Sequence, residues 1–433
     1  MKFLILLLLS FNASASFTEL FGPSAESMAV GNLPITESAS SNSQAAALLG
    51  FSEKTKFSFS TFYLSTNFND INGVVTKSET NTVNQQVIGD VEVNPTPSTL
   101  FGAHLSTPLF SPQGVKFNLS VVAPFDRLME ADTGDPYQPS YVMYANRFLR
   151  PSIHASVSQA FDDLSFSLGV MTGFQSNGET YIVTRTTSGN PSVGKVSFNA
   201  KPSLGLTASV AKKWDKQLTY LAFQQEMESK FISRATGETE ISGGAAFPFD
   251  FKVNSILFYD PMTFRLGHQL PLSDALLHLG IEYQLWENYE AATLELKKQG
   301  GDINGSENFE VLKPKNIWIP RIGLEKSLSE KWKIKGGYFY RPTPLKPSRL
   351  KYAGNSIDSD KHVASLGLTH LLDFQSKLLN LDVAWQGHFL KTHKVTKTPG
   401  QEDGVGPDPK IGSPGYTVGG MIHVLTVGIS WNY

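Results

Sequence analysis

The closing stretch VGGMIHVLTVGISWNY, Val418 to Tyr433, decides the fold. From Met421 onward every second residue (Met421, Leu425, Val427, Ile429, Trp431, Tyr433) is apolar or aromatic, with His423 the one polar member. Between the later ones lie Thr426, Gly428, Ser430 and Asn432. A period of two, with one greasy face and one small polar face, suits a strand that has lipid on one side and a watery lumen on the other. Trp431 and Tyr433 then fall at the membrane-water boundary, where amphipathic rings are stable. Taken alone, the stretch fits a half-buried strand of a soluble sandwich equally well, so the choice rests on the rest of the chain.

The same alternation recurs from Lys56, where Phe57 and Phe59 oppose Ser58 and Ser60. Phe117, Leu119 and Val121 oppose Asn118 and Ser120, and Leu164, Phe166, Leu168 and Val170 oppose Ser165, Ser167 and Gly169. Leu204 to Val210 repeats it, as do Leu277 to Leu285 and Leu379 to Phe389, whose polar positions include Glu282, Asp382 and His388. A soluble sandwich puts such ions outside; a barrel puts them inside.

Composition agrees with alternation. The 433 residues carry a net charge of -2 and include 29 Phe, 14 Tyr and 6 Trp, yet the mean hydropathy is only -0.15. Alternating apolar and small polar residues cancel in such an average. Near-neutral charge without a basic stripe argues against a nucleic-acid partner. Lys2, the apolar run Phe3 to Leu9 and Ala13-Ser14-Ala15 read as a secretory signal peptide over 1–15, too short to span a bilayer. The absence of cysteine excludes a lipoprotein anchor on Cys, thiolate metal sites and disulfides.

Connections are of two kinds. Short ones are Ser111 to Gly114, Asp162-Asp163, Lys213 to Lys216, Leu272 to Asp274, Ser329 to Lys331 and Gln375 to Lys377. Long polar ones fall near 68–96, 126–145, 176–200, 231–261, 288–315, 342–360 and 391–417. The two kinds strictly alternate, as short periplasmic turns and long outer loops do in outer-membrane barrels. The reading is therefore all-β: a transmembrane antiparallel β-barrel of about fourteen strands over 55–433. The strands lie near 55–67, 97–109, 115–124, 146–160, 164–175, 202–212, 218–230, 262–270, 276–287, 316–326, 332–341, 361–372, 378–390 and 418–433. Residues 16–54 lack alternation and are rich in Gly, Pro and Ala, which suits a plug folded inside the lumen; a disordered periplasmic tail is the competing reading.

At this point several motifs resemble one family, the FadL-type outer-membrane transporters of long-chain fatty acids and other hydrophobic molecules. Gly22-Pro23-Ser24-Ala25-Glu26-Ser27-Met28-Ala29-Val30-Gly31 is similar to the small-residue opening of that family's plug. In Ala45 to Gly50, Ala47 and Leu49 match the family's Asn-Pro-Ala and Gly-Leu segment, whose Asn and Pro are missing here. Val122-Ala123-Pro124-Phe125-Asp126 resembles its Pro-Phe-Gly, with Asp for Gly. Arg150-Pro151-Ser152-Ile153, Asp163 to Gly169, Gly336 to Pro344 and Ile357 to His362 complete the resemblance, the last two being the most specific.

The resemblance implies a monomeric fourteen-strand barrel with an N-terminal plug, passive uptake of fatty acids or other hydrophobic compounds, and no cofactor. Cargo caught by outer loops passes to a pocket beside the plug, then leaves sideways into outer-membrane lipid at the third strand. Gly22, Met28, Gly31, Ala47 and Leu49 are then plug residues, and Pro124, Phe125 and Asp126 are lateral-gate candidates. Pro124 cannot donate to a ladder, so it either ends or kinks its strand. Phe247, Phe249, Phe251, Ile256, Leu257 and Phe258 make residues 231–261 far greasier than a solvent loop and are candidates for hydrophobic capture. They equally suit packing on neighbouring loops or an extra strand. Arg321 and Lys335, on the predicted lumen face, either partner a fatty-acid carboxylate or join ion networks with Glu282, Glu325 or Asp382.

Enzymatic readings find little support. His154 and Ser156 share a strand face, as in a barrel phospholipase, but Val157-Ser158 stands where such enzymes carry Asn-Gly. Asp358 and Asp360 read as a polar strand entry at the outer rim. No His-Glu-x-x-His, phosphate loop or Gly-x-Ser-x-Gly occurs. A polar-solute porin, a phospholipase and a surface adhesin remain the competing functions.

Overall fold

Strands with one apolar face leave their edges unsatisfied in lipid unless the sheet closes on itself. The computed structural model describes the chain except residues 1–16, 37, 78–85, 92, 95–96, 126–138, 142, 145–149, 186–192, 242–244, 290–294, 299–313, 346–354, 375–376, 401 and 403–411. The expected signal peptide lies outside the described residues. The strands are β1 (Lys56–Phe68), β2 (Ile71–Lys77), β3 (Gln86–Val91), β4 (Ser98–Pro108), β5 (Lys116–Pro124), β6 (Ser152–Phe161), β7 (Leu164–Arg185), β8 (Val193–Trp214), β9 (Gln217–Gln224) and β10 (Met227–Ile241). They continue with β11 (Ala245–Asp260), β12 (Met262–Pro271), β13 (Ala275–Leu285), β14 (Glu295–Lys298), β15 (Ile317–Ser327), β16 (Trp332–Arg341), β17 (Lys361–Phe374), β18 (Lys377–Thr396) and β19 (Gly415–Asn432).

Fourteen of these, β1, β4 to β9, β12, β13 and β15 to β19, pair antiparallel in sequence order. The C-terminal β19 returns to β1, from Asn432 opposite Lys56 to Gly420 opposite Phe68, and closes the barrel. The strand count is the one read from the sequence. Outward positions are apolar and exposed, among them Leu168, Leu204, Leu366, Val383, Val427 and Ile429. Inward neighbours such as Ser60, Asn118, Asp382, Thr426 and Ser430 are buried.

Several expected loops are strand instead. β7 and β8 have 22 residues each, about twice the ~9–11 that a tilted strand needs to cross a bilayer. Their outer halves pair with each other from Phe174 opposite Pro202 to Val183 opposite Val193. The predicted loop 231–261 is a hairpin of β10 and β11. Since β9 and β10 run outward like β7, β10 pairs parallel with β7 beyond the end of β9, Phe231 to Glu240 against Ser176 to Arg185. A second hairpin, β2 with β3, lies in the predicted loop 68–96. Outside the bilayer neither strand face needs to be apolar throughout, so alternation was no guide there.

The plug is a run of short helices: Phe17–Phe21, Ala25–Ala29, Asn42–Ala45, and 3-10 turns at Ala39–Ser41 and Ala46–Phe51. Ser24 caps the second helix through Ser27 N at 3.3 Å, and Ser38 caps Ala39–Ser41 through Ser40 N at 3.4 Å. These segments are buried almost throughout. Their seat in the wall needs glycine: a Cβ on Gly337 would lie 2.1 Å from Gly31 N, and one on Gly367 would lie 2.4 Å from Ala29 Cβ. Gly31 itself has φ 74, a left-handed conformation in which a side chain is strained.

Candidate functional site: an apolar upper lumen above the plug

The lumen changes character along its length. Near the short turns the inward residues are small or polar, but toward the long connections they become apolar. On β19 the inward series runs from Ser430, Gly428 and Thr426 to Val424, Ile422 and Val418, all three of these last being fully buried. β1 contributes Phe62, Leu64 and Phe68 to the same cluster, β15 Ile317 and Ile319, β16 Phe339, and β17 Val363. The period of two alone brings them to one surface, because every strand presents its even or odd set inward.

Phe17, Leu20 and Phe21 of the first plug helix are the floor of this apolar upper lumen, the chamber. Phe17 meets Phe62 edge-on at 4.8 Å, and Phe21 lies 4.9 Å from the His388 ring. The roof comes from the connections. Tyr141 stacks on Phe68 at 4.0 Å; its hydroxyl donates to Gly419 O and accepts from Gly419 N, both at 2.9 Å. Tyr144, Ile357 and the β2 residues Ile71 and Val74 pack beside it. Tyr259, Trp286 and Tyr289 make a second aromatic group, with ring centroids 5.6–5.7 Å apart. Each large ring removed from water here contributes about 1.5–3 kcal/mol.

Around and below the floor lie buried ion pairs. Arg341 donates to Glu19 of the plug at 2.7 Å. Gln284 Nε2 donates to the same Glu19 oxygen at 2.8 Å. Glu282 accepts from Arg265 at 3.2 Å and from Arg321 at 3.4 Å. Lys335 lies 3.4 Å from Asp382 and 3.5 Å from Glu325. Thus both cations singled out in the sequence sit in lumen networks with the three carboxylates named there. Arg321 also donates to the plug at Gly31 O, 3.2 Å away.

Gly22, Met28, Gly31, Ala47 and Leu49 are buried in the plug; Ala47 N donates to Ser209 Oγ of β8 at 2.8 Å. Pro124 is the last residue of β5, and Phe125, exposed on the outer wall, still donates to Thr99 O at 2.9 Å. β5 pairs with β4 up to Pro124 but with β6 only up to Val122, opposite Ser152, with no register break between. Asp126 lies outside the described residues. Phe247, Phe249 and Phe251 are on β11, opposite Thr239, Gly237 and Ala235 of β10. Ile256 and Phe258 pair with Lys230 and Ser229, and Leu257 falls at the register shift between them.

His154 and Ser156 face the lumen without forming a nucleophile-base pair: Ser156 Oγ donates to Asn42 Oδ1 of the plug at 2.6 Å. Asp358 is buried against Lys361 at 3.2 Å, whereas Asp360 accepts from Tyr340 and Thr343 N, both at 2.9 Å, at the strand entry. Sequence reasoning missed Glu19, Arg341, Tyr141 and Tyr144. A charged residue inside the greasy Phe17-Thr18-Glu19-Leu20-Phe21 was the available signal for the first.

No protein-family model matches the chain. Alkane uptake protein A of Marinobacter nauticus is 26% identical over 273 residues, which cover 57% of this chain and 55% of that protein. The chain therefore spans about half the length of this curated relative. Among solved structures, a FadL homologue from Pseudomonas aeruginosa superposes with TM-score 0.62 at 16% identity, covering 98% of this chain and 99% of that one. The toluene transporter TodX of P. putida superposes with TM-score 0.53 at 13% identity, covering 96% and 99%.

Proposed function

We propose that this chain, an outer-membrane β-barrel with the FadL-type fold, gives passive passage to hydrophobic compounds, long-chain fatty acids or hydrocarbons among them. The observation that carries the reading is the apolar, aromatic-rich lining of the upper lumen, between the plug and the long connections. A channel for polar solutes gains nothing from burying Phe, Tyr, Trp, Ile and Val on its inner face, and would carry water there instead. The similarity to an alkane uptake protein supports the same direction.

In this reading the β10–β11 hairpin captures cargo with Phe247, Phe249, Phe251, Ile256, Leu257 and Phe258, and the chamber holds it out of water. Release goes sideways into outer-membrane lipid, where the pairing of β5 with β6 stops at Val122 and Pro124 ends the strand. In the same reading the barrel acts as a monomer, and its closed sheet offers no strand edge for pairing with a second copy. Purified protein is expected to bind dodecane or the apolar probe diphenylhexatriene. Ile422→Asp, which buries an unpaired carboxylate in the chamber wall, is expected to weaken that binding by about tenfold or more. High conductance in planar bilayers combined with no apolar binding would replace this reading with a polar-solute porin.

A further inference from the structure

We infer that the chamber is selective for uncharged cargo, and that Glu19 sets this selectivity by filling, with its own carboxylate, the place beside Arg341 that an anionic headgroup would take. The inference rests on the transport reading and narrows its substrate class to hydrocarbons and neutral polar derivatives such as alcohols.

Among the described residues, Lys397 at the roof donates to Asn355 Oδ1 at 2.6 Å, while six other buried cations lie beside or above the plug: Arg150, Arg265, Arg321, Lys335, Arg341 and Lys361. Each of these six has a protein carboxylate within 3.4 Å: Asp260, Glu282, Glu282 again, Asp382, Glu19 and Asp358 in that order. A fatty-acid anion settling at the floor beside Arg341 would lose its hydration without gaining an uncompensated cation there, which is prohibitive in an apolar surround. An alkane or alcohol meets no such cost.

Arg341 ties the barrel wall to the plug helix through Glu19. It lies two residues beyond Phe339 of the chamber wall, and Glu19 lies between Thr18 and Leu20 on the helix that forms the floor. Both side chains are 2% exposed. Arg341 Nη2 donates to Glu19 Oε1 and to Gln284 Oε1, while Nη1 is buried with no hydrogen bond among the described residues. With Glu19 made neutral, Nη1 and Nη2 would present a charged fork matched to a carboxylate.

The test is competition in detergent between diphenylhexatriene and each of dodecane, dodecanol and dodecanoate, at a pH where the acid is ionised. In the wild-type barrel dodecanoate is expected to compete at least about tenfold more weakly than dodecanol. In Glu19→Gln the ratio of dodecanoate to dodecanol affinity is expected to rise by about tenfold. In Glu19→Gln/Arg341→Gln it is expected to fall back, because the cation is gone. Equal competition by dodecanoate and dodecanol in the wild type overturns the inference, as does a gain in Glu19→Gln that persists in the double variant and so reports only a loosened plug. Failure of dodecane and dodecanol to compete at all removes the transport reading, and the inference with it.

Discussion

Gly337 and Gly31 meet backbone to backbone, with room for nothing between them: the Cβ of any other residue at 337 would fall 2.1 Å from Gly31 N. The clash is with main chain, which has no rotamer to retreat into, so Gly337→Val is expected to cost about 2 kcal/mol or more of plug docking. The expected readout is raised ion conductance in planar bilayers from a barrel that still shows heat-modifiable migration. Unchanged conductance would mean that the plug is held elsewhere. The Gly336-Gly337 pair was visible in the sequence as part of a motif, but its purpose was not, because its partner lies about 300 positions away in the chain. Arg321 and Lys335 show the same limit. Their period placed them in the lumen, while the identity of the partner among Glu282, Glu325 and Asp382 depended on which strands are neighbours.

At the scale of elements, the β10–β11 hairpin is an addition to the barrel and no part of its closure. β9 pairs directly with β12, from Thr263 opposite Gln224 to Gln269 opposite Leu218. Replacing residues 231–256 by a short turn is therefore expected to leave barrel assembly intact in heat-modifiability assays. If the hairpin captures cargo, the same variant should lose about tenfold in hydrocarbon uptake at low cargo concentration; unaltered uptake would remove that role. β7 and β8 teach the converse lesson about reading strands from alternation. Their lower halves alternate because lipid and lumen differ. Their upper halves, Ser176 to Arg185 and Val193 to Ala200, are strands held by mutual pairing, and a hydropathy pattern does not report pairing.

For the molecule as a whole, the arrangement of apolar surface is inverted twice. Lipid-facing residues are apolar outside, the lower lumen is polar inside, and the upper lumen is apolar again. Tryptophans sample these zones separately: Trp318 is 56% exposed on the outer wall, whereas Trp286 is fully buried in the chamber. In bilayers containing brominated lipid, a variant retaining only Trp318 is expected to be strongly quenched and one retaining only Trp286 hardly at all. The reverse order would place the chamber outside the barrel.

Alternation from Lys56 to Tyr433, and loop lengths that alternate with it, were enough by themselves to determine a closed, even-stranded membrane barrel, while residues 16–54 still read as either a plug or a disordered tail. The barrel follows because a strand between lipid and water has no other solution for its two faces and its edges. Only the tertiary structure decided where the lumen turns apolar, which connections roof it, and that Glu19 and Arg341 neutralise each other at its floor. Those outcomes depend on contacts between residues far apart in the chain, and a single strand's period carries no record of which neighbour stands across the lumen.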